Sequence, residues 1–300
     1  MLLLNALLAS TFVLGKVVLG YTKPLFFVGL SMTVGGALML SYLGLRHGRQ
    51  SFRVRSHDVM LFLRVTLFTI ILSYGLQFWG MQFMPAFKSC FLYNIGPFAS
   101  YLIAFLLHNE KLRLKKWLGL CIGFLGLVPI LLSSSPAEDG LSTLIFISLP
   151  EIAVIASAIF YAYGWFDIRE LVYKRKYPPV LVNGICMLLG GLVMLAGVPM
   201  IEGAVVIRDF MPFFWLLGST IMVEYIICNN MYAFLLHHHS ETFLSFTTFL
   251  IPLFGALYSW LFLCETVTWH FFVSTVIVGI AIWFFYRAEQ EEHPFKISTD

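Results

Sequence analysis

The sequence predicts an all-α integral membrane protein, with ten transmembrane helices arranged as two inverted five-helix repeats. Three observations carry this. The chain is 59% hydrophobic and only 12% charged, with a mean hydropathy of +0.86; a soluble domain has about 25% charged residues. Its apolar residues fall into ten stretches of membrane-crossing length. One stretch is also written twice: Pro24 to Leu40, PLFFVGLSMTVGGALML, returns 155 positions later as Pro179 to Leu195. Pro24, Gly29, Met32, Gly35, Gly36, Met39 and Leu40 find the same residue in the second copy. Glycine inside a helix costs about 1 kcal/mol against alanine, so three matched glycines need a use. In a membrane that use is close approach of helix backbones.

A span needs about 20 apolar residues. Span 1 (2–20) lacks the basic n-region and cleavage site of a signal peptide and reads as a retained helix. Span 2 (24–45) is the first copy of the glycine stretch, and span 7 (179–199) the second. Span 3 (59–80) and span 8 (211–236) carry polar stripes treated below. Span 4 (86–107) and span 9 (242–263) each hold a mid-span proline, Pro97 and Pro252, which removes a helix hydrogen bond and kinks the span. Spans 5 (116–133) and 10 (270–286) close the two copies. Span 6 (149–168) opens on Ser148-Leu-Pro-Glu151, a capping box with proline in the first turn. The repeats therefore occupy 1–133 and 149–286, separated by an external loop at 134–148 and followed by a tail at 287–300.

Lysine and arginine set the orientation. Arg46, Arg49, Arg53 and Arg55 follow span 2; Lys111, Arg113, Lys115 and Lys116 follow span 4; Arg169, Lys174, Arg175 and Lys176 follow span 6; Arg287 and Lys296 lie in the tail. Those fourteen face one side, against Lys23 and Arg208 on the other. Both termini are expected in the cytoplasm. Five spans per copy is odd, so the second copy stands upside down, an arrangement that carriers use to build a midplane site.

Each repeat ends alike. NIGPFASYLIAFLLHNE and FLIPLFGALYSWLFLCE both place a proline thirteen residues before a glutamate at the membrane edge, Pro97 to Glu110 and Pro252 to Glu265. In this the chain resembles the drug/metabolite transporter superfamily, specifically its EamA-type members, over nearly its whole length. The resemblance implies a carrier of small organic metabolites working by alternating access, with spans 1–4 and 6–9 around the cargo and spans 5 and 10 peripheral. Known members move amino acids, nucleotide-linked compounds, sugars or drugs, and some carry S-adenosylmethionine.

Candidate cargo residues come from polar side chains inside spans. Glu224 sits near the middle of span 8, beyond snorkelling reach, where a carboxylate costs about 2.5–3.5 kcal/mol on insertion scales. It would exchange a proton with a wet cavity or pair with an ammonium or sulfonium group. Thr69, Ser73 and Gln77 form a four-spaced stripe on span 3, and the repeat offset lays Thr69 on Glu224 and Ser73 on Cys228. Span 4 adds Tyr93 and Asn94. Lys16 and Lys88 approach the outer end of spans 1 and 4; they either snorkel or form a paired cationic site for a carboxylate or phosphate. Tyr163, with other aromatics, would stack on a ring or hold a cation. Arg64 reads as snorkelling, Glu110 and Glu265 as caps or ion-pair members, and His237 to His239 as a solvated loop. Gly119, Gly123 and Gly126 in span 5, with Thr275 and Gly279 in span 10, either pack within the monomer or form a homodimer seam.

The five cysteines lack metal-ligand spacing, and no Walker A, HExxH or GxSxG motif is present. No cofactor, metal or nucleic-acid partner is implied; the expected partners are the lipid bilayer and a small metabolite. The leading expectation is a secondary transporter in a bacterial-type cytoplasmic membrane, for uptake or exchange of S-adenosylmethionine-like compounds. An exporter of amino acids stands beside it, and from another class a membrane-embedded enzyme or scaffold.

Overall fold

The computed structural model describes residues 1–48, 52–108, 114–132, 143–144, 147–228, 231, 235, 248 and 250–292. The loop at 134–142, Glu110, His237 to His239 and Lys296 lie outside these residues. The regular structure of the described chain is helical apart from a short antiparallel ladder, in which Thr143 pairs with Ser148 and Leu144 with Ile147. That ladder sits in the inter-repeat loop, beside the predicted all-α bundle.

The helices follow the ten expected spans. Span 1 is Leu2–Val18, span 2 Pro24–His47, span 7 Pro179–Ile201 and span 10 Trp269–Glu292. Among the described residues, five helices have the length and apolar composition to cross a bilayer: Pro24–Arg46, Ser56–Met81, Leu149–Lys174, Pro179–Ile201 and Phe210–Cys228. The described part of span 9 is Leu250–Leu263. Span 4 is broken into Ala86–Tyr93 and Gly96–His108, with the break just before Pro97. Proline supplies no N–H to the turn above it, so the helix restarts there.

The repeats meet where spans 2 and 7 cross. A Cβ on Gly36 would lie 2.6 Å from the Leu188 nitrogen and 2.8 Å from the Gly184 carbonyl oxygen. A Cβ on Gly191 would lie 2.5 Å from the Thr33 nitrogen and 2.8 Å from the Gly29 carbonyl oxygen. These are the same contacts with the two copies exchanged, because 36, 29 and 33 correspond to 191, 184 and 188. Gly29 against Leu195 and Gly184 against Leu40 repeat the relation. Reciprocal contacts of this kind define a two-fold axis. The partners descend along span 7 as the chain ascends span 2, so the two helices are antiparallel and the second copy is inverted.

Two apolar cores flank that crossing. One joins spans 1–3 and 6–8 around Phe27, Met32, Phe62, Leu181, Met187 and Phe213. The other joins spans 4, 5, 6, 9 and 10 around Phe87, Phe91, Phe98, Ile130, Ala256 and Phe271. Spans 5 and 10 pack on each other within the chain: the Ile130 amide donates to the Ser274 hydroxyl at 3.0 Å, and a Cβ on Gly126 would meet Val278 at 2.7 Å. Gly279 faces open space.

Candidate functional site

Spans 3 and 8 share an irregularity at the same place in each copy. Thr66–Tyr74 and Ile221–Cys228 are wound as π-helix, and the repeat offset carries Thr66 onto Ile221. π-helical turns loosen the i→i+4 ladder and recur at functional sites. Each segment rests on a glycine of the crossing helices: Tyr225 on Gly35, and its repeat mate Ile70 on Gly190.

Glu224 lies inside the second π segment and Tyr74 ends the first. The Tyr74 hydroxyl donates to Glu224 Oε1 at 2.9 Å. Tyr161 of span 6 stands edge-on to Tyr74, with ring centroids 6.4 Å apart, and Tyr93 of span 4 is 5.8 Å from Tyr161. Phe12 of span 1 meets Tyr93 at 5.7 Å. Side chains from spans 1, 3, 4, 6 and 8 therefore converge around one carboxyl. Glu224, Tyr74, Tyr93 and Tyr161 each keep part of their surface accessible, although they face one another deep in the bundle. No lysine or arginine pairs with Glu224 among the described residues. A carboxyl bonded by one tyrosine hydroxyl and neighboured by further tyrosines is chemistry suited to an organic cation.

The expected residues divide around this centre. Tyr93 belongs to it, and Ser73 is buried beside the Tyr93 hydroxyl. Gln77 is buried a turn further on, with Oε1 unpartnered. Thr69 packs so tightly on Gly164 that any side chain there would collide with its hydroxyl. The π winding explains part of this, because residues four apart no longer stack on one face. Asn94 Nδ2 donates to the Thr248 carbonyl at 3.4 Å across to span 9. Tyr163 instead serves Arg64, whose guanidinium donates to its hydroxyl at 2.5 Å and pairs with Asp167 at 3.2 Å. Arg64 thus joins spans 3 and 6 as well as reaching the surface.

Lys16 and Lys88 meet separate acceptors in the structure. Lys16 Nζ donates to the carbonyls of Met81, Gln82 and Met84 at 2.7, 3.0 and 2.7 Å, closing the end of span 3. Lys88 is buried against Glu151, at 2.7 Å. Each amine is held by the nearest strong acceptor, as burial of a charge requires. Glu151 also completes the expected capping box: Ser148 N and Oγ donate to its Oε2 at 2.6 and 2.9 Å. Glu265 caps span 4, taking the Ala86 N–H on both oxygens at 3.0 and 2.9 Å. Burial raises the Glu265 carboxyl from its ordinary value, against the Ala86 N–H, Ser259 and Lys16, which favour the carboxylate.

Tyr74, Tyr161 and Tyr225 were not singled out by the sequence. Tyr161 and Tyr163 are two apart, on opposite faces of a helix, and only Tyr161 turns to Glu224. Adjacency to Ser73 and Glu224 is the signal by which Tyr74 and Tyr225 could have been found.

Comparison with known proteins bears on what such a site carries. A model of the EamA-like transporter family matches residues 1–132 and 148–287. A Chlamydia muridarum protein named S-adenosylmethionine/S-adenosylhomocysteine transporter is 28% identical over 270 residues, 89% of this chain and 84% of its own. A Chlamydia trachomatis protein of the same name is 28% identical over 273 residues, 89% of this chain and 82% of its own. One solved crystal structure superposes with a TM-score of 0.62 over 97% of both chains at 15% identity, a likeness of fold alone.

Proposed function

We infer the function from one premise: the chain belongs to the EamA-like transporter family. It is a multi-pass membrane protein and a secondary transporter of a small polar organic metabolite. The proposed cargo is S-adenosylmethionine and its demethylated product, taken up or exchanged by alternating access across a bacterial cytoplasmic membrane. Both termini would face the cytoplasm, as the fourteen basic loop and tail residues argue.

The observation that carries this reading is Glu224 among Tyr74, Tyr93 and Tyr161. A sulfonium centre is a compact cation with an apolar surface, suited to tyrosine faces and one carboxylate. An adenine ring has the aromatic area to stack beside them. The names of the two Chlamydia relatives support the same cargo. Spans 2 and 7, locked at Gly36 and Gly191, would form the axis about which the repeats rock.

The test is counterflow in proteoliposomes holding this chain alone. Labelled S-adenosylmethionine should accumulate against internal S-adenosylmethionine or S-adenosylhomocysteine, and not against methionine or other amino acids. Absence of uptake, or preference for an amino acid, would overturn the assignment.

A further inference from the structure

We propose that Glu224 binds the positively charged cargo as a carboxylate and the uncharged cargo as a carboxylic acid, so that the carrier exchanges a cation for a neutral molecule plus a proton. This rests on the cargo reading above. Its basis is the inventory of groups that face Glu224. They are Tyr74 from span 3, Tyr93 from span 4, Tyr161 from span 6, and Tyr225 and Cys228 from its own span. None of them carries a positive charge. Span 1 packs against this stretch, and its one charged side chain, Lys16, is committed to the carbonyls of Met81, Gln82 and Met84. Span 2 also touches it and has no charged side chain before Arg46. Among the described residues no fixed positive charge faces Glu224, so on this proposal the charge that neutralises it arrives with the cargo or as a proton.

The two cargoes named for the relatives differ in this respect. The sulfonium compound carries one net positive charge beyond its balanced amino and carboxylate groups. The thioether left after methyl transfer carries none. A carboxylate with the sulfonium is neutral, and a carboxylic acid with the thioether is also neutral. Both loaded forms then cross the bilayer without net charge, which removes the penalty that the interior and the membrane potential place on a bare carboxylate. Tyr74 suits both states, because its hydroxyl can donate to a carboxylate or accept from a carboxylic acid.

The experiment uses full-length protein in liposomes loaded with S-adenosylhomocysteine, with S-adenosylmethionine outside. Potassium and valinomycin set the membrane potential, and a trapped dye reports internal pH. The proposal expects the interior to turn alkaline in step with exchange, at a rate indifferent to potential. S-adenosylmethionine exchanged for itself should move no protons. Exchange that follows the potential without proton movement overturns the proposal and leaves the cargo reading standing. Failure to exchange either compound overturns both. In Glu224→Gln, the ratio of S-adenosylmethionine to S-adenosylhomocysteine uptake should fall at least about tenfold, since a fixed neutral side chain no longer favours the cation. An unchanged ratio overturns the proposal.

Discussion

Tyr74 and Glu224 stand 150 positions apart in sequence and share a hydrogen bond of 2.9 Å. The bond joins the last residue of one π segment to the interior of its inverted counterpart, so it links the two repeats at the proposed cargo site. Tyr74→Phe keeps the ring and removes the donor. A hydrogen bond to a charged group contributes about 1.5–3 kcal/mol, so S-adenosylmethionine affinity should fall roughly tenfold or more in equilibrium binding. Glu224→Gln should cost at least as much. The double variant should lose little beyond Glu224→Gln, because both changes remove one interaction. Fully additive losses would show that Tyr74 acts elsewhere.

The crossing of spans 2 and 7 predicts matched packing defects. Gly36→Ala drives a methyl onto the Leu188 backbone, and Gly191→Ala onto the Thr33 backbone. Overpacking against atoms that cannot swing aside costs about 1–3 kcal/mol. Both variants should lower thermal stability in detergent by similar amounts. Gly279→Ala, with nothing within 4 Å of its new methyl, should match the wild type. A stable Gly36→Ala would mean that the helices do not touch there.

These features differ in how far the sequence reveals them. The glycine crossing is readable because glycine is costly in a helix and three recur at a fixed offset. The capping box at Ser148 and Glu151 is equally local and equally readable. Glu224 stands out because a mid-membrane carboxyl is rare. Its tyrosines do not, since in a chain with 17% aromatic residues a tyrosine that bonds resembles one that fills space. The partners of Lys16 and Lys88 are hidden from the sequence for a different reason. Their acceptors lie 65 to 68 and 63 positions away, and no local pattern joins them. The π segments also escape notice, because backbone winding by i→i+5 leaves the apolar pattern of span 3 unchanged.

The orientation argument predicts which ends an impermeant reagent reaches. Cysteine introduced at Ser134, in the loop between repeats, should react with an impermeant thiol reagent from outside intact cells. Cysteine introduced at Gln290, in the polar end of the Trp269–Glu292 helix beyond its apolar stretch, should react only after the membrane is opened. The native Cys121 and Cys264 are free and exposed, so both variants belong in a background lacking them. The reverse labelling pattern would overturn the cytoplasmic placement of the termini.

The Lys88–Glu151 pair makes the sharpest stability prediction. Both side chains are almost wholly buried, at 1% and 2% exposure, and their charged atoms are 2.7 Å apart. The pair ties span 4 to the start of span 6, next to the junction between the repeats. Removing one member of a buried pair strands the other, at a cost of about 3–5 kcal/mol. Lys88→Met should therefore be severely destabilised in a thermal-unfolding assay. Glu151→Gln should suffer too, although its amide can still serve Ser148 in the capping box. Replacing both, as Lys88→Met with Glu151→Gln, removes the two charges together and should recover much of the loss, since desolvation offsets most of such a pair's attraction. If the double variant is as unstable as the sum of the single ones, the two side chains act independently and the pair does not hold spans 4 and 6 together.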